Sequence, residues 1–356
     1  MLKKIKNMKK TTKSNLITYG IVIVAFVIMQ TLISTGSISS LLEGLMVPIC
    51  IYVILAVSLN LVVGILGELS LGHAGFMCVG AFSSAFFSKC MRDVITVDIV
   101  RFLLALLIGI AVAAIFGILI GIPVLRLKGD YLAIVTLAFG EIIKNLVNVL
   151  YIGKDSNGFH FSTKDVMALN MEPDGTVIVN GPQGITGTPQ DSTFLIGFIL
   201  ILITLFIVTN LINSRDGRAI MSIRDNRIAA ESVGINVTKY KLMAFTISAA
   251  LAGAAGVLYA HNLSTLTANT NNFGYNQSIM ILVFVVLGGI GSIRGSIIAA
   301  VILTLLPELL RGLSDYRMLI YAIVLIVMML FNWAPKAIEW RERHLGFGRK
   351  KKEAVQ

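Results

Sequence analysis

Long apolar runs alternate with short polar segments along this chain. A helix needs about 20 mostly apolar residues to cross the roughly 30 Å hydrocarbon core of a bilayer. The pattern therefore predicts ten membrane-spanning helices, of which the eighth and ninth are short. The predicted spans are Asn15–Ser34, Leu41–Ile65, Leu71–Ser88, Phe102–Leu125, Tyr131–Tyr151, Phe194–Asn213, Leu242–Asn262, Ser278–Ile290, Ser296–Leu310 and Met318–Trp333.

The composition supports a membrane protein. Hydrophobic residues make up 56% of the 356 residues and charged residues only 14%. A soluble domain of this size would have too few polar groups to cover its surface. The predicted fold class is an all-α, polytopic helix bundle: a single membrane domain over residues 15–335 between basic tails at 1–14 and 336–356.

The net charge of +11 is distributed in a way that predicts orientation. Six Lys precede the first span and seven Lys or Arg follow the last, which is the positive-inside pattern. Ten crossings place both termini and the segment 214–241 in the cytosol, and segment 152–193 outside. This parity requires Leu71–Ser88 to cross fully. Charges placed in this way argue against a nucleic-acid partner and for membrane lipid.

The sequence has few groups for chemistry of its own. It contains no G-x-x-x-x-G-K-[ST] run, so no phosphate-binding loop for a nucleotide is predicted. Its four His are scattered, and Cys50, Cys78 and Cys90 stand at no metal-ligand spacing. We therefore predict a non-catalytic chain that binds no metal or cofactor and takes energy from another chain.

The segment Ser214–Lys241, called the basic segment below, is polar and lies between two predicted spans. It reads SRDGRAIMSIRDNRIAAESVGINVTKYK and holds six Lys or Arg. Two interpretations are open for this segment alone. It is a docking surface for a cytosolic partner, or an amphipathic loop that binds anionic lipid through its arginines.

The fifth predicted span carries a polar stripe. Glu141, Lys144, Asn145 and Asn148 have the i, i+3, i+4, i+7 spacing of one helix face. Glu141 stands ten residues after Tyr131, about 15 Å into the span. The stripe either lines a translocation route or contains a buried ion pair that holds helices in register.

Glycines mark two candidate helix breaks, one after the second span and one between the eighth and ninth. Broken helices expose backbone dipoles to a substrate, whereas small residues also allow close helix packing. Asn60 and His73 stand near the first break, as candidate pathway groups or as hydrogen-bonded interior groups. The glycines assigned to the breaks are Gly67, Gly72, Gly288, Gly289 and Gly291.

Six ordered sequence blocks resemble a known family. The chain resembles the permease subunits of bacterial branched-chain amino acid ABC importers, specifically the longer of the two permeases, over nearly all its length after the first span. The blocks are GELSLGHAGFMCVGAF at 67–82, RLKGDYLAIVTLAFGEI at 126–142, NGPQGITGTP at 180–189, the basic segment, AFTISAALAGAAGVLYA at 244–260 and VVLGGIGSIRGSIIAAVILTLLPELL at 285–310.

The resemblance implies a function and a set of partners. It implies a permease subunit in the plasma membrane of a bacterium, which moves branched-chain or related small amino acids inward by alternating access. The implied partners are a second, paralogous permease subunit, two ABC ATPases that bind ATP and magnesium, and an extracytoplasmic substrate-binding protein. A secondary transporter or channel is the alternative, but it leaves the basic segment without a role.

The resemblance also assigns a role to the basic segment. In such importers a short cytosolic helix with the pattern E-A-A-x-x-x-G fits into a groove on the ATPase. Ile228 stands at the Glu position here, and Glu231 lies about one helical turn later. The residues assigned to ATPase coupling are Arg218, Arg224, Asp225, Arg227, Ala229, Ala230, Glu231 and Gly234.

Overall fold

The computed structural model describes residues 10–36, 39–92, 94–127, 129–310 and 316–333. Residues 1–9 of the predicted tail 1–14 and the whole predicted tail 336–356 lie outside the described residues. Each predicted span corresponds to a helix. The helices in chain order are α1 (Lys10–Ser34), α2 (Ser40–Asn60), α3 (His73–Cys90), α4 (Asp98–Val124), α5 (Asp130–Val149), α6 (Phe194–Asn213), α7 (Arg215–Asp225), α8 (Arg227–Ser232), α9 (Val237–Ala260), α10 (Thr270–Phe273), α11 (Tyr275–Gly288), α12 (Ile293–Leu309) and α13 (Arg317–Trp333).

Six of these helices are long and apolar enough to cross a membrane: α1, α2 with its extension to Leu66, α4, α5, α6 and α9. The other four that correspond to predicted spans are shorter or less apolar. Helix α11 is the shortest, at 14 residues. It rises only about 21 Å, less than the hydrocarbon thickness. The count of ten spans therefore stays a prediction.

The basic segment and the extramembrane strands lie at opposite ends of the bundle. At one end, the Arg224 guanidinium of α7 donates to the Gly64 carbonyl, in the turn that follows α2, at 3.0 Å. At the other, Lys89 in the last turn of α3 donates to the Val177 carbonyl of a strand, at 2.9 Å. We call these the basic end and the sheet end. Helix α3 runs to the sheet end from a start inside the bundle, where Gly75 lies against Gly140 and the Ala74 N–H donates to Ser278 at 3.2 Å. The full crossing of Leu71–Ser88 stays a prediction.

The core is built where α9 packs against α3 and α4, with small residues at the contacts. A Cβ on Gly80 would overlap the Gly253 backbone, and one on Gly256 would overlap the Met77 carbonyl. Such contacts bring helix backbones close together and favour dispersion over the whole contact. The glycines of α9 therefore allow close packing against α3.

The prediction of an all-α fold was wrong for the segment between α5 and α6. That segment forms a three-stranded antiparallel sheet in the order β2-β1-β3, from β1 (Tyr151–Asp155), β2 (Gly158–Ser162) and β3 (Thr176–Asn180). A second ladder pairs β4 (Ile185–Thr186) with β5 (Thr265–Leu266). These strands have two to five residues, too few for a two-residue alternation to stand out in the sequence.

Candidate functional site

The basic segment folds into two short capped helices. The Ser214 hydroxyl accepts from the Gly217 N–H at 3.0 Å to begin α7, and the Asn226 side chain accepts from the Ala229 N–H at 3.0 Å to begin α8. Both are the side-chain caps that polar residues provide at helix starts. Gly234 follows the second helix with φ +85°, a left-handed conformation common after a helix end.

The coupling residues do not share one surface. Ala230 is buried with Ile223 and Val237 in a small core of the segment itself. Its side chain therefore holds α8 in place and does not face outward, which corrects its assignment to a contact surface. Ala229 is exposed, and so are the large side chains of Ile228 and Val233, at 79% and 75%.

Charged side chains surround this exposed apolar group. Arg227 pairs with Glu231 at 3.0 Å, and Arg224 pairs with Asp225 at 2.9 Å. These pairs are partly or largely exposed, so each contributes little to stability. Arg218 donates to the Asn213 carbonyl at 3.3 Å, where α6 ends. The segment thus presents an apolar centre with a charged rim.

The basic segment is attached directly to the first helix break. Arg224 donates to the Gly64 carbonyl, and its methylene groups lie against Gly67. Lys241, in the first turns of α9, forms an ion pair with Glu68, and both side chains are largely buried. Two independent contacts therefore connect the segment to the break.

A helix ends at each of the two predicted breaks. Helix α2 continues as a π-helical turn, Leu61–Leu66, and ends at Gly67 with φ +79°. Gly72 precedes α3. Helix α11 ends at Gly288, and Gly289 and Gly291 have φ +94° and +82° before α12 begins. Positive φ values of this kind favour glycine.

Asn60 links the two breaks across the bundle. Its Oδ1 accepts from the Gly291 N–H at 2.9 Å, and its Nδ2 donates to the Ser296 hydroxyl at 3.0 Å. His73 is buried, with Nε2 2.7 Å from the Ser58 hydroxyl. Both are hydrogen-bonded interior groups, which was one of the two interpretations of these residues.

The polar stripe of α5 is divided by the structure. Lys144 pairs with Glu141 at 2.5 Å and also donates to Thr270 at 3.2 Å. Asn148 donates to the Ala268 carbonyl at 2.8 Å, whereas Asn145 is exposed and does not belong to this contact. The ion pair between Glu141 and Lys144, the alternative to a role in lining a translocation route, is present.

Glu141 also caps α11 in the middle of the bundle. Its Oε1 accepts from the Tyr275 N–H, the first of that helix, at 2.8 Å. A carboxylate at a helix N-terminus interacts favourably with the helix dipole. The uncharged connection after α9 therefore folds inward from the sheet end to the depth of Glu141, and α11 runs from there to Gly288 at the basic end.

A cavity of about 500 Å³ lies between α2, α11 and α12. Four polar side chains line it: Tyr52, Gln277, Thr304 and Glu308. This cavity was not predicted from the sequence. Glu308, a charge inside the predicted span Ser296–Leu310, was the signal available, because intramembrane charges mark functional sites.

The hairpin of β1 and β2 at the sheet end carries a charged cluster. Burial of the Asp155 carboxyl opposes ionisation, but hydrogen bonds from the Asn157 and Glu172 N–H groups and from His160 outweigh it and lower the pKa of Asp155. A lowered pKa stabilises the hairpin above the ordinary Asp pKa, and this contribution is lost as pH falls through the lowered value. Across the part of the chain that the structure describes, His, Cys, Asp and Glu side chains form no group of three that fits a metal ion.

Comparison with known proteins identifies the family of this chain. The model of the family "Branched-chain amino acid transport system / permease component" matches residues 41–331. The high-affinity branched-chain amino acid transport system permease protein LivM of Salmonella typhimurium is 34% identical over 337 residues, 92% of this chain and 75% of that protein. LivM of Escherichia coli is 36% identical over 298 residues, 81% and 67% of the two chains.

A more distant relative gives the same assignment. The probable branched-chain amino acid transport permease protein LivM of Methanocaldococcus jannaschii is 25% identical over 275 residues, 69% of this chain and 74% of that protein. No solved structure matches the chain. The family match covers most of the sequence, including both helix breaks and the basic segment, and this chain belongs to the family of branched-chain amino acid transport system permease components.

Proposed function

We propose that this chain is one of two paralogous permease subunits of an ATP-driven importer for branched-chain amino acids. Two ABC ATPases bind at the basic end, and a substrate-binding protein delivers the amino acid at the sheet end. ATP and magnesium bind to the ATPases, and this chain carries no cofactor. Its family and the two LivM relatives support this substrate class.

The surface of the basic segment carries the proposal. Ile228 and Val233 are among the most exposed large apolar side chains of the described residues, and they stand beside paired charges. A lone solvated loop gains nothing from this exposure, whereas an apolar centre with a polar rim is the usual composition of a protein interface. The segment is thus suited to fit into a groove on an ATPase.

The orientation follows from the positive-inside rule. The basic end faces the cytosol, with both termini, and the sheet end faces outward. The ten-span count then includes α3, α11, α12 and α13. Helix α11 is too short to cross alone, and the inward-folded connection from His261 to Gly274 completes its crossing.

The contacts at the basic end suggest how motion is transmitted. When ATP brings the ATPases together, α7 and α8 move with them. Arg224 and Lys241 then pull on the first break through Gly64 and Glu68, and Asn60 passes the displacement to Gly291 at the second. Breaks are suited to this role because a few glycines absorb the dihedral change. The path is thereby exposed alternately to each side.

Cross-linking tests the docking site. Ala229→Cys, introduced into a chain with Cys50, Cys78 and Cys90 replaced by Ala, is expected to cross-link to the ATPase in the purified complex. Ala168→Cys, also exposed but at the sheet end, is the matched control and is expected to remain uncross-linked. Cross-linking at residue 168 and not at 229 would overturn the assignment. Binding of the segment to anionic vesicles alone would favour the lipid interpretation.

A further inference from the structure

The cavity between α2, α11 and α12 has the size and depth of a transport site. At about 500 Å³ it falls within the range of roughly 300–1,000 Å³ that small-molecule sites occupy. Gln277 stands 11 residues from Gly288 along α11, and Glu308 stands 15 residues from Ile293 along α12. By helix rise these side chains lie about 16 and 22 Å from the basic end, between the centre and the outer half of a core roughly 30 Å thick.

Large apolar side chains make up much of the lining of the cavity. Its large side chains include Leu45, Met280, Phe284 and Leu303. They come from all three helices, so an apolar group inside the cavity would be surrounded. The burial of a branched side chain there is favoured in proportion to the apolar area removed from water.

The cavity is also lined by a few polar groups. The amide nitrogen Nε2 of Gln277 is buried, and within the described residues the Gln277 side chain interacts with the Tyr52 hydroxyl without a well-formed hydrogen bond to Nε2. The residue is 8% exposed and lines the cavity. A buried N–H group with no well-formed hydrogen bond costs free energy, and a ligand that accepts from it removes that cost. The Gln277 amide is therefore a candidate donor to a carboxylate.

Acceptors are present in the same cavity. The Glu308 carboxylate lines it, with the hydroxyls of Tyr52 and Thr304. Pro48 and Pro307 also line it, inside α2 and α12. A proline has no N–H, so the carbonyls four residues earlier lose their helical donor. An ammonium group would meet the Glu308 carboxylate.

A second cavity lacks this combination of apolar and polar side chains. It measures about 420 Å³ between α1, α2, α6 and α12, and apolar side chains and the Cys50 thiol line it. A zwitterion would find no partner for either charged end there, and the cost of burying an unpaired charge is high. The cavity at Gln277 and Glu308 is the one of these two that offers both charges a partner.

We propose that the cavity between α2, α11 and α12 binds the zwitterionic amino acid during its passage. Gln277 and Tyr52 donate to the substrate carboxylate, Glu308 accepts from the ammonium group, and Leu45, Met280, Phe284 and Leu303 surround the branched side chain. The inference rests on the proposed function, because it takes an amino acid to be the transported molecule.

Uptake by the complete complex in proteoliposomes provides the first test. Gln277→Leu and Glu308→Gln each remove one charged hydrogen bond, and we expect roughly a tenfold or greater rise in KM for leucine. Asn276→Leu and Glu43→Gln are the controls. They change a neighbouring exposed amide and an exposed carboxylate of α2 that do not line the cavity, and are expected to keep wild-type KM.

Substrate protection provides a second test that does not depend on transport rates. Thr304→Cys, in a chain with the three native Cys replaced by Ala, is expected to react with a small maleimide. Leucine at about ten times its dissociation constant is expected to slow this reaction about tenfold, since it leaves about a tenth of the sites free. Urea at the same concentration is expected to have no effect.

The outcomes separate the two proposals. Suppose that the wild-type complex imports leucine, that both Gln277→Leu and Glu308→Gln keep the wild-type KM, and that leucine does not protect the Thr304→Cys thiol. These results would overturn the cavity proposal and leave the proposed function intact. A correctly assembled wild-type complex that imports no branched-chain amino acid would overturn the proposed function instead.

Discussion

The two halves of the bundle are built on different principles. Where α9 meets α3 and α4, glycines bring the helix backbones into direct contact, as at Gly80 and Gly253. Where α2 meets α11 and α12, the helices are broken or carry prolines, and a polar cavity lies between them. The first half is held by direct backbone contacts, and the second contains a cavity with polar groups.

Stability and movement therefore reside in different halves. Backbone contact through small residues is rigid, because a displacement of either helix produces overlap. Helices that end at glycines are joined instead by a few hydrogen bonds, such as those of Asn60. Variants in the first half are expected to act on folding, and variants in the second half on transport.

The largest effect is expected in the close-packed half. Gly256→Ala places a Cβ against the Met77 carbonyl, and helix separation is expected to cost about 3 kcal/mol. Gly20→Ala in α1 is the control, because a Cβ there meets nothing within 4 Å. The measurement is the unfolding free energy of the detergent-purified chain. Equal stability of the two variants would contradict the rigidity of this half.

A smaller loss of stability and a larger loss of transport are expected at Asn60. Asn60→Ala removes both hydrogen bonds between the breaks, at roughly 2 kcal/mol, and is expected to lower leucine uptake by the complex without lowering ATP hydrolysis to the same degree. Ser83→Ala is the control, since the Ser83 hydroxyl donates only to carbonyls of its own helix. Proportional losses of uptake and hydrolysis would argue against a link between the breaks.

A substitution at Gly234 tests whether the effect of backbone strain depends on where in the chain the strain lies. Gly234→Val forces a β-branched residue to φ +85°, at roughly 1–2 kcal/mol, and is expected to uncouple ATP hydrolysis from uptake while leaving membrane insertion intact. Gly187→Val introduces similar strain at φ +72° at the sheet end, also in open space. The control is expected to retain ATP-driven uptake. Wild-type uptake in Gly234→Val would count against docking at this segment.

The smallest effect is expected for an exposed ion pair. Arg227→Ala removes the pair with Glu231, worth roughly 0.3–0.5 kcal/mol in a helix. Stability is expected to change by no more than this, while assembly with the ATPase becomes more sensitive to salt, because rim charges chiefly steer association. The salt dependence of complex formation measures it, and an unchanged dependence would place Arg227 outside the interface.

The sequence anticipated features that depend on local pattern. Helix positions followed from apolar length, and the breaks at Gly67 and Gly289 followed from glycine density. Features that depend on contacts between distant residues were missed or left open. The division of the α5 stripe, with Asn145 exposed, depends on where the connection after α9 folds, and periodicity along one helix carries no such information.

The cavity likewise depends on contacts between residues that are distant in the sequence. Gln277 and Glu308 are 31 residues apart, and the break between α11 and α12 reverses the chain between them, so that both line one cavity with Tyr52 of α2. The Glu308 charge was visible inside a predicted span, but the residues that face it were not. The sheet was missed for a different reason, since its short strands are held by turns and by pairing with distant strands.

In the proposed mechanism, ATP hydrolysed by partner subunits drives import through this chain, and reconstitution of the complex tests this step. Leucine accumulation is measured in proteoliposomes that hold the complete complex, with loaded binding protein outside and ATP inside. We expect accumulation against the gradient only when both the ATPases and internal ATP are present. Accumulation by the chain alone under a sodium or proton gradient, with no requirement for ATP, would contradict the mechanism and favour a secondary transporter.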